Sequence, residues 1–277
     1  MAWSLNSGSQ AMITQFGGEE SSDDDDLSCE KCNPTSASTP KSARVARLDR
    51  VTRLRDSIHK HKSHGSDSNN ALRHARLGRA LHARFEKHSD PHDLDEAIAE
   101  LSTAMRILPP RHRHKPMYES NVGLLLCVRY EHTHQEADLK RAISHCRTAL
   151  EAADNNEAAS PSDKAWYRAN LATSLLHRYE RSKDTSLLNE SLALWKTAVS
   201  SLEAGHPDKP SYYSNISAVF LARYNHTAEL SDLNRAVDAI RESVNGLTYE
   251  DPHWIIYQVC LHSQCRPSSD SRASVYE

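Results

Sequence analysis

Glycine, phenylalanine and cysteine are scarce here: 8, 3 and 6 residues among 277. With so few glycines there is no Gly-rich phosphate loop, which argues against a nucleotide-handling enzyme. Six cysteines in a chain of this length read as reduced thiols and not as a disulfide framework. Long apolar runs are also missing. The longest, Val122 to Val128, falls far short of the roughly 20 residues that span a bilayer. A net charge of -3 creates no global field favouring nucleic acid or a membrane surface. The opening residues Met-Ala-Trp-Ser-Leu-Asn-Ser-Gly lack the basic and apolar regions of a secretory signal, so the expected compartment is the cytoplasm, with the nucleus as the alternative. On that expectation the triplets Asn189-Glu-Ser191, Asn215-Ile-Ser217 and Asn225-His-Thr227 are chance matches to the glycosylation pattern.

What is present divides unevenly. Hydrophobic residues make up 38% of the chain and mean hydropathy is -0.69, as expected when a polar tail dilutes a folded part. Residues 1–40 carry Ser21-Ser22 and four consecutive aspartates, Asp23 to Asp26, with too little apolar surface to offset ordering entropy. They are expected to be a disordered acidic tail. Cys29 and Cys32 give half of a zinc-ligand set, and no further ligands follow at finger spacing. Residues 41–68 reverse the charge. There Val45, Leu48, Val51, Leu54 and Ile58 recur at three or four residues, the period of an amphipathic helix. This segment has two readings: a degenerate half-repeat that caps the array, or an adaptor for nucleic acid or a membrane surface through residues 41–64.

From Ala71 onward the chain repeats. Arg84-Phe85-Glu86 returns as Arg129-Tyr130-Glu131, Arg178-Tyr179-Glu180 and Arg223-Tyr224-Asn225. Leu94, Leu139, Leu188 and Leu233 keep the same intervals of 45, 49 and 45, as do Ala97, Ala142, Ser191 and Ala236. Three markers with one uneven spacing define a tandem array. Its units are 71–116, 117–165, 166–210 and 211–254, with a partial fifth at 255–264, where Tyr257 follows Tyr212 by 45 residues. Residues 265–277 are expected to be a second disordered tail. Each unit splits into two helical patterns. Leu171, Leu175 and Tyr179 line the first helix of the third unit; Leu192, Trp195, Ala198 and Val199 line the second. Gly78, Gly123, Ala172 and Ser217 hold one position where a small side chain lets the partner helix come close. Prolines mark the unit junctions, and Ser231 or Asp232 is placed to cap the last second helix.

Leu77-Gly78, Ala97, Ala104 and Pro109 stand in the order and spacing of the tetratricopeptide pattern, which this array resembles. The resemblance implies an all-α fold: antiparallel helix pairs stacked into a right-handed α-solenoid. Units of about 45 residues exceed the usual 34 or so, a surplus assigned to a longer loop between the paired helices. The array looks like those of fungal proteins that carry a caspase-like protease domain of the CHAT kind, and no such domain is recognised here. A truncated or regulatory fragment of such a protease system is therefore the alternative to a stand-alone scaffold.

No catalytic constellation stands out. Histidines concentrate in connectors (His88, His92, His112, His114, His132, His134), and Cys127 and Cys146 fall within apolar helical patterns. Neither an enzyme, a cofactor, a metal site nor a small-molecule substrate is expected. The candidate binding residues are Asn121, Asn170 and Asn215, two positions before the small residue of each first helix, with Arg76 in the first unit. An amide donates and accepts, so a ladder of them suits the main chain of an extended peptide, and the resemblance implies that use. The basic clamp that chaperone-binding members apply to a C-terminal carboxylate is not matched, since Ala75 and Ala169 replace it. Arg84, Arg129, Arg178 and Arg223 are expected to be structural, each reaching a carboxylate near the turn. Leu77, Phe85, Tyr130, Ala142, Leu171, Tyr179, Trp195, Tyr224 and Ala236 are expected in the core.

Overall fold

A computed structural model describes residues 50–60 and 66–245. The acidic tail, Cys29 and Cys32, the start of the basic segment, the partial fifth unit and the last tail lie outside these residues. The described chain is helical, with no strand. A short α1 (Arg50–Lys60) comes before four helix pairs: α2 (Asp67–His88) with α3 (Pro91–Ile107), α4 (Lys115–Thr133) with α5 (Glu136–Asp154), α6 (Pro161–Ser182) with α7 (Thr185–Ser201), and α8 (Lys209–Thr227) with α9 (Leu230–Asn245). Each pair packs most closely on itself, then on the next pair in sequence. Within this order the first helices also touch across units, α4 with α6 and α6 with α8.

The prolines do more than break helices. Pro91 and Pro161 occupy the first turn of α3 and α6, and Pro116 and Pro210 that of α4 and α8. There the missing N–H has no intrahelical partner to lose. Ser66 caps α2, accepting from the Asn69 N–H, so the first unit begins ahead of Ala71. Asp232 does not cap α9. It lies buried in the first turn of that helix, engaged by Arg223.

The longer loop expected between paired helices is absent. Two residues join each pair: 89–90, 134–135, 183–184 and 228–229. The surplus length is helix, carried past the Arg-Phe/Tyr-Glu cluster. What permits so tight a turn is a left-handed residue at one repeated position: Ser89, His134, Lys183 and Ala228, with φ of 54, 55, 57 and 58°. Each returns its N–H to the carbonyl four residues back, on Phe85, Tyr130, Tyr179 or Tyr224, closing the end of its first helix. None is glycine, so each turn holds a side chain in a conformation costing about 1 kcal/mol or more.

The paired helices approach until their backbones nearly touch. A Cβ on Gly78 would stand 3.1 Å from the Ala97 carbonyl oxygen and 2.9 Å from Leu101 Cγ. One on Gly123 would stand 3.1 Å from the Ala142 oxygen and 2.5 Å from Cys146 Sγ. In the third unit Ala172 takes this place, and Ser191 Oγ donates to its carbonyl at 2.8 Å. Around these contacts lie the expected core residues, with Leu77, Leu171 and Trp195 all but inaccessible. Tyr224 is only half-buried, because α8 has described neighbours on one side alone. At the other end α1 buries Val51 and Leu54 against the first pair, and Arg55 pairs with Glu96 of α3.

Gly123→Ala should lower stability by roughly 1–3 kcal/mol through overpacking, read as a shifted denaturant midpoint. Combined with Cys146→Ala the loss should be smaller than the sum, because the sulfur is the atom in the way. Strict additivity would show that the clash is not what costs stability.

Candidate functional site along the first helices

A recurrent clamp ties each first helix to its partner. Arg84 binds Asp93 through two nitrogens, as Arg129 binds Asp138 and Arg223 binds Asp232. The spacing is nine residues each time, and the carboxylates are 4–5% exposed. Two-point contact with a guanidinium is the strong geometry for such a pair. It holds the carboxyls of Asp93 and Asp232 below the usual range against the opposing effect of burial. Arg129 and Arg223 also reach back into the preceding unit, to Asp95 Oδ1 at 2.8 Å and Asn189 Oδ1 at 3.1 Å.

The third unit breaks this rule. Nine residues after Arg178 stands Leu187, and where Asp95 and Asn189 receive the next unit's arginine the second unit has Lys140. The α4/α6 seam is built differently. His177 is 5% exposed, with Nδ1 3.2 Å from Glu180 and Nε2 3.0 Å from Glu131 of α4. The Nε2 contact is off the N–H axis, an ion pair and not a linear hydrogen bond. Burial pushes the His177 pKa down, but the two carboxylates outweigh it and raise it to about 9. Beside it, Ser174 Oγ donates to the Asn170 carbonyl at 2.9 Å and so stands as acceptor for the Cys127 thiol at 3.1 Å. Cys146 Sγ lies 3.8 Å from the same oxygen. Burial pushes the Cys146 thiol up to about 12 and the Cys127 thiol higher still. Both stay protonated at neutral pH, poor nucleophiles and poor metal ligands.

The apolar core follows the same division. One continuous cluster runs from Val51 to Ala142 and another from Ala165 to Ala239. Between them are two small groups: Ala149, Ala153, Trp166 and Tyr167, then Cys146, Leu171 and Leu175.

The three asparagines are buried, with exposures of 1, 5 and 8% for Asn121, Asn170 and Asn215. Asn170 Nδ2 donates to Ser120 Oγ at 2.9 Å across the seam. Asn215 Nδ2 donates to the Ser211 carbonyl of its own helix at 2.7 Å. Asn121 Oδ1 has no hydrogen-bond partner among the described residues. Arg76 is half-buried and close enough to Tyr118 of α4 to act on its ring hydroxyl.

Sequence reasoning missed the histidines that matter. Of those assigned to connectors, His88, His92 and His132 are exposed near helix ends rather than in loops, whereas His74, His82, His145 and His177 lie well inside helices. His74 Nδ1 meets Glu100 at 2.6 Å in the first unit, and His145 Nδ1 meets Glu119 at 2.6 Å in the second. These are the same two repeat positions with the partners exchanged, a signal visible at the 45-residue offset. The clamp aspartates were legible in the same way. His177 has no counterpart in other units and left no periodic trace. Among the described residues no group of three or more His, Cys, Asp or Glu is placed to hold a metal ion, and no helix is long and apolar enough to cross a membrane. Comparison with protein families and with curated proteins finds no match.

Arg129→Ala should cost about 2–4 kcal/mol, because it leaves Asp138 buried without its partner. Arg178→Ala should stay within about 0.5 kcal/mol. Equal losses in chemical denaturation would refute the missing third clamp.

Stability should also be arched in pH. An unfolded histidine titrates near 6.5. The His177 contribution is therefore complete below about 6.5 and fades as pH rises through about 9. Burial lowers the His82 pKa to about 4, so its contribution is complete above about 6.5 and fades as pH falls toward 4. Denaturant midpoints across pH 4 to 10 should show both arms, and His177→Leu should flatten the alkaline arm alone.

Proposed function

We propose that this chain is a non-catalytic, protein-binding scaffold of tetratricopeptide type, which holds an extended segment of a partner against the face made by its first helices. The observation that carries the reading is the contact of α4 with α6 and of α6 with α8. First helices in line bring equivalent positions into a row, and a row at regular spacing suits a ligand that is itself extended. The neutral, protonated thiols and the pairing of the helical histidines with glutamates fit a holding role better than a chemical one.

The row is not uniform. At its first end Arg76 is half-buried, whereas Asn121, Asn170 and Asn215 are buried, and on α8 Ala218, three residues after Asn215, is half-buried. Arg76 supplies a cation for a carboxylate of the partner, and the ends of the row are where contact begins.

A photo-reactive side chain placed at Arg76 or at Ala218 should crosslink the same partner protein in cells. One at Thr148 of α5 or Thr197 of α7, both exposed, should not. Crosslinks from the second-helix positions alone would place the partner on the other face and refute the reading. Arg76→Glu should weaken capture of that partner at least tenfold while leaving the helical circular dichroism unchanged.

A further inference from the structure

The seam between the second and third units differs from the other unit junctions in three independent respects. It lacks the arginine's reach across units, since Lys140 stands where Asp95 and Asn189 receive Arg129 and Arg223. The fully buried part of the core is divided there, bridged only by a small group whose half-buried neighbours Ile143, Leu187 and Leu194 also pack on the clusters to either side. Its buried surface is unusually polar, with Ser120, Asn170, Ser174, Cys127, Cys146 and His177 each 5% exposed or less. α4 and α6 nonetheless approach more closely than α6 and α8, which small side chains allow. Closeness of this kind does not bring equal apolar burial, and burial sets how strongly one repeat holds the next.

We propose that the array is two bodies, units 1–2 and units 3–4, latched along the α4/α6 seam by the His177 imidazolium wedged between Glu131 and Glu180. A buried cation between carboxylates holds only while charge and geometry are complete, since without His177 the carboxylates of Glu131 and Glu180, 16% and 35% exposed, are left near one another with no cation between them. Across α4 and α6 the contacts are hydroxyl, thiol and amide, and apolar contact between the two halves is confined to α5 against α6, where Trp166, Tyr167, Leu171 and Leu175 pack.

The titratable and charged groups set about His177 do not supply an alternative partner. On α4 they are Glu131, the Tyr130 ring at 6.3 Å, and the Cys127 thiol one turn away. On α6 itself they are Glu180, Arg178 and Arg181, the last engaged with Glu136 of α5 at 3.2 Å. α7 contributes Glu190, which Arg147 of α5 holds at 3.0 Å. α8 contributes His226, edge-on to Tyr179 at 6.3 Å, and Arg223, committed to Asp232. The side chains of the two outer ion pairs are 43% exposed or more, and such pairs contribute about 0–1 kcal/mol each. The latch is therefore His177.

The test uses the full chain and two readouts. Amide exchange by mass spectrometry reports each helix, and alkylation by iodoacetamide at Cys127 and Cys146 reports the seam with native probes. At pH 7.5, His177→Leu should raise exchange in 120–131 and 165–180 and alkylation at both thiols at least tenfold over wild type. Exchange in the α2/α3 and α8/α9 pairs should change less than threefold. Unchanged seam exchange and thiol labelling would overturn the latch. A uniform rise over all helices would overturn the two-body division. Should His177→Leu not fold, the wild-type chain decides: between pH 7.5 and 10, exchange corrected for intrinsic rate should rise in the seam first. A rise spread evenly, or none, would overturn the proposal. Glu131→Gln with His177→Leu and Glu180→Gln, which removes every charge of the latch, should restore part of the protection lost in the single variant.

Discussion

Every unit depends on one contact: two helix backbones close enough that a carbonyl of one limits the side chain of the other. Gly78 and Gly123 meet the Ala97 and Ala142 oxygens in this way, and Ser191 turns the same proximity into a hydrogen bond with Ala172. The two-residue connectors, the left-handed turn and the nine-residue clamp all presuppose that approach. A larger residue at the contact would push the helices apart, and the arginine would no longer span to its aspartate. The clamp follows from the packing, and its buried carboxylate then makes the packing intolerant of change.

Stability in a stack of this kind is the sum of unit terms and junction terms. The unit terms here share the two-residue turn and close helix approach, and the third unit alone lacks the Arg–Asp clamp. The junction terms are not alike. Arg129 ties unit 2 to unit 1, and Arg223 ties unit 4 to unit 3. Between them stands a seam that sets small apolar groups on α5 and α6 beside a polar contact of α4 with α6. That arrangement also governs the candidate binding face, since the seam that closes Asn170 onto Ser120 is the middle of the row.

Much of this order was readable beforehand. The Arg-Phe/Tyr-Glu cluster and the Leu and Ala markers counted the units, and the small residue marked where helices touch. The turns were not readable, for a physical reason. A left-handed residue advertises itself when it is glycine or asparagine, and Ser89, His134, Lys183 and Ala228 share no chemistry at all. Only the hydrogen bond back to the aromatic residue's carbonyl is common to them, and a backbone bond leaves no mark on side-chain identity. The surplus residues were accordingly assigned to a loop when they extend the helices. Asn121, Asn170 and Asn215 were legible as a row, but which way a helix face points at a given unit depends on the neighbour packed there. His177 was hidden for the opposite reason, being unique in an array where recurrence is what draws notice.

His74 with Glu100 and Glu119 with His145 occupy one pair of positions with the polarity exchanged. A tandem array is prone to unequal crossing-over, in which one unit is lost or its halves are recombined. Here a hybrid joining α2 to α5 would set His74 against His145, and the reciprocal hybrid would set Glu119 against Glu100. Whole units can be exchanged without that conflict, while half-units cannot. The swapped pair thus works as a mark of kinship between the two helices of one hairpin. It makes the helix pair, rather than the single helix, the smallest piece that such a lineage can copy, move or lose.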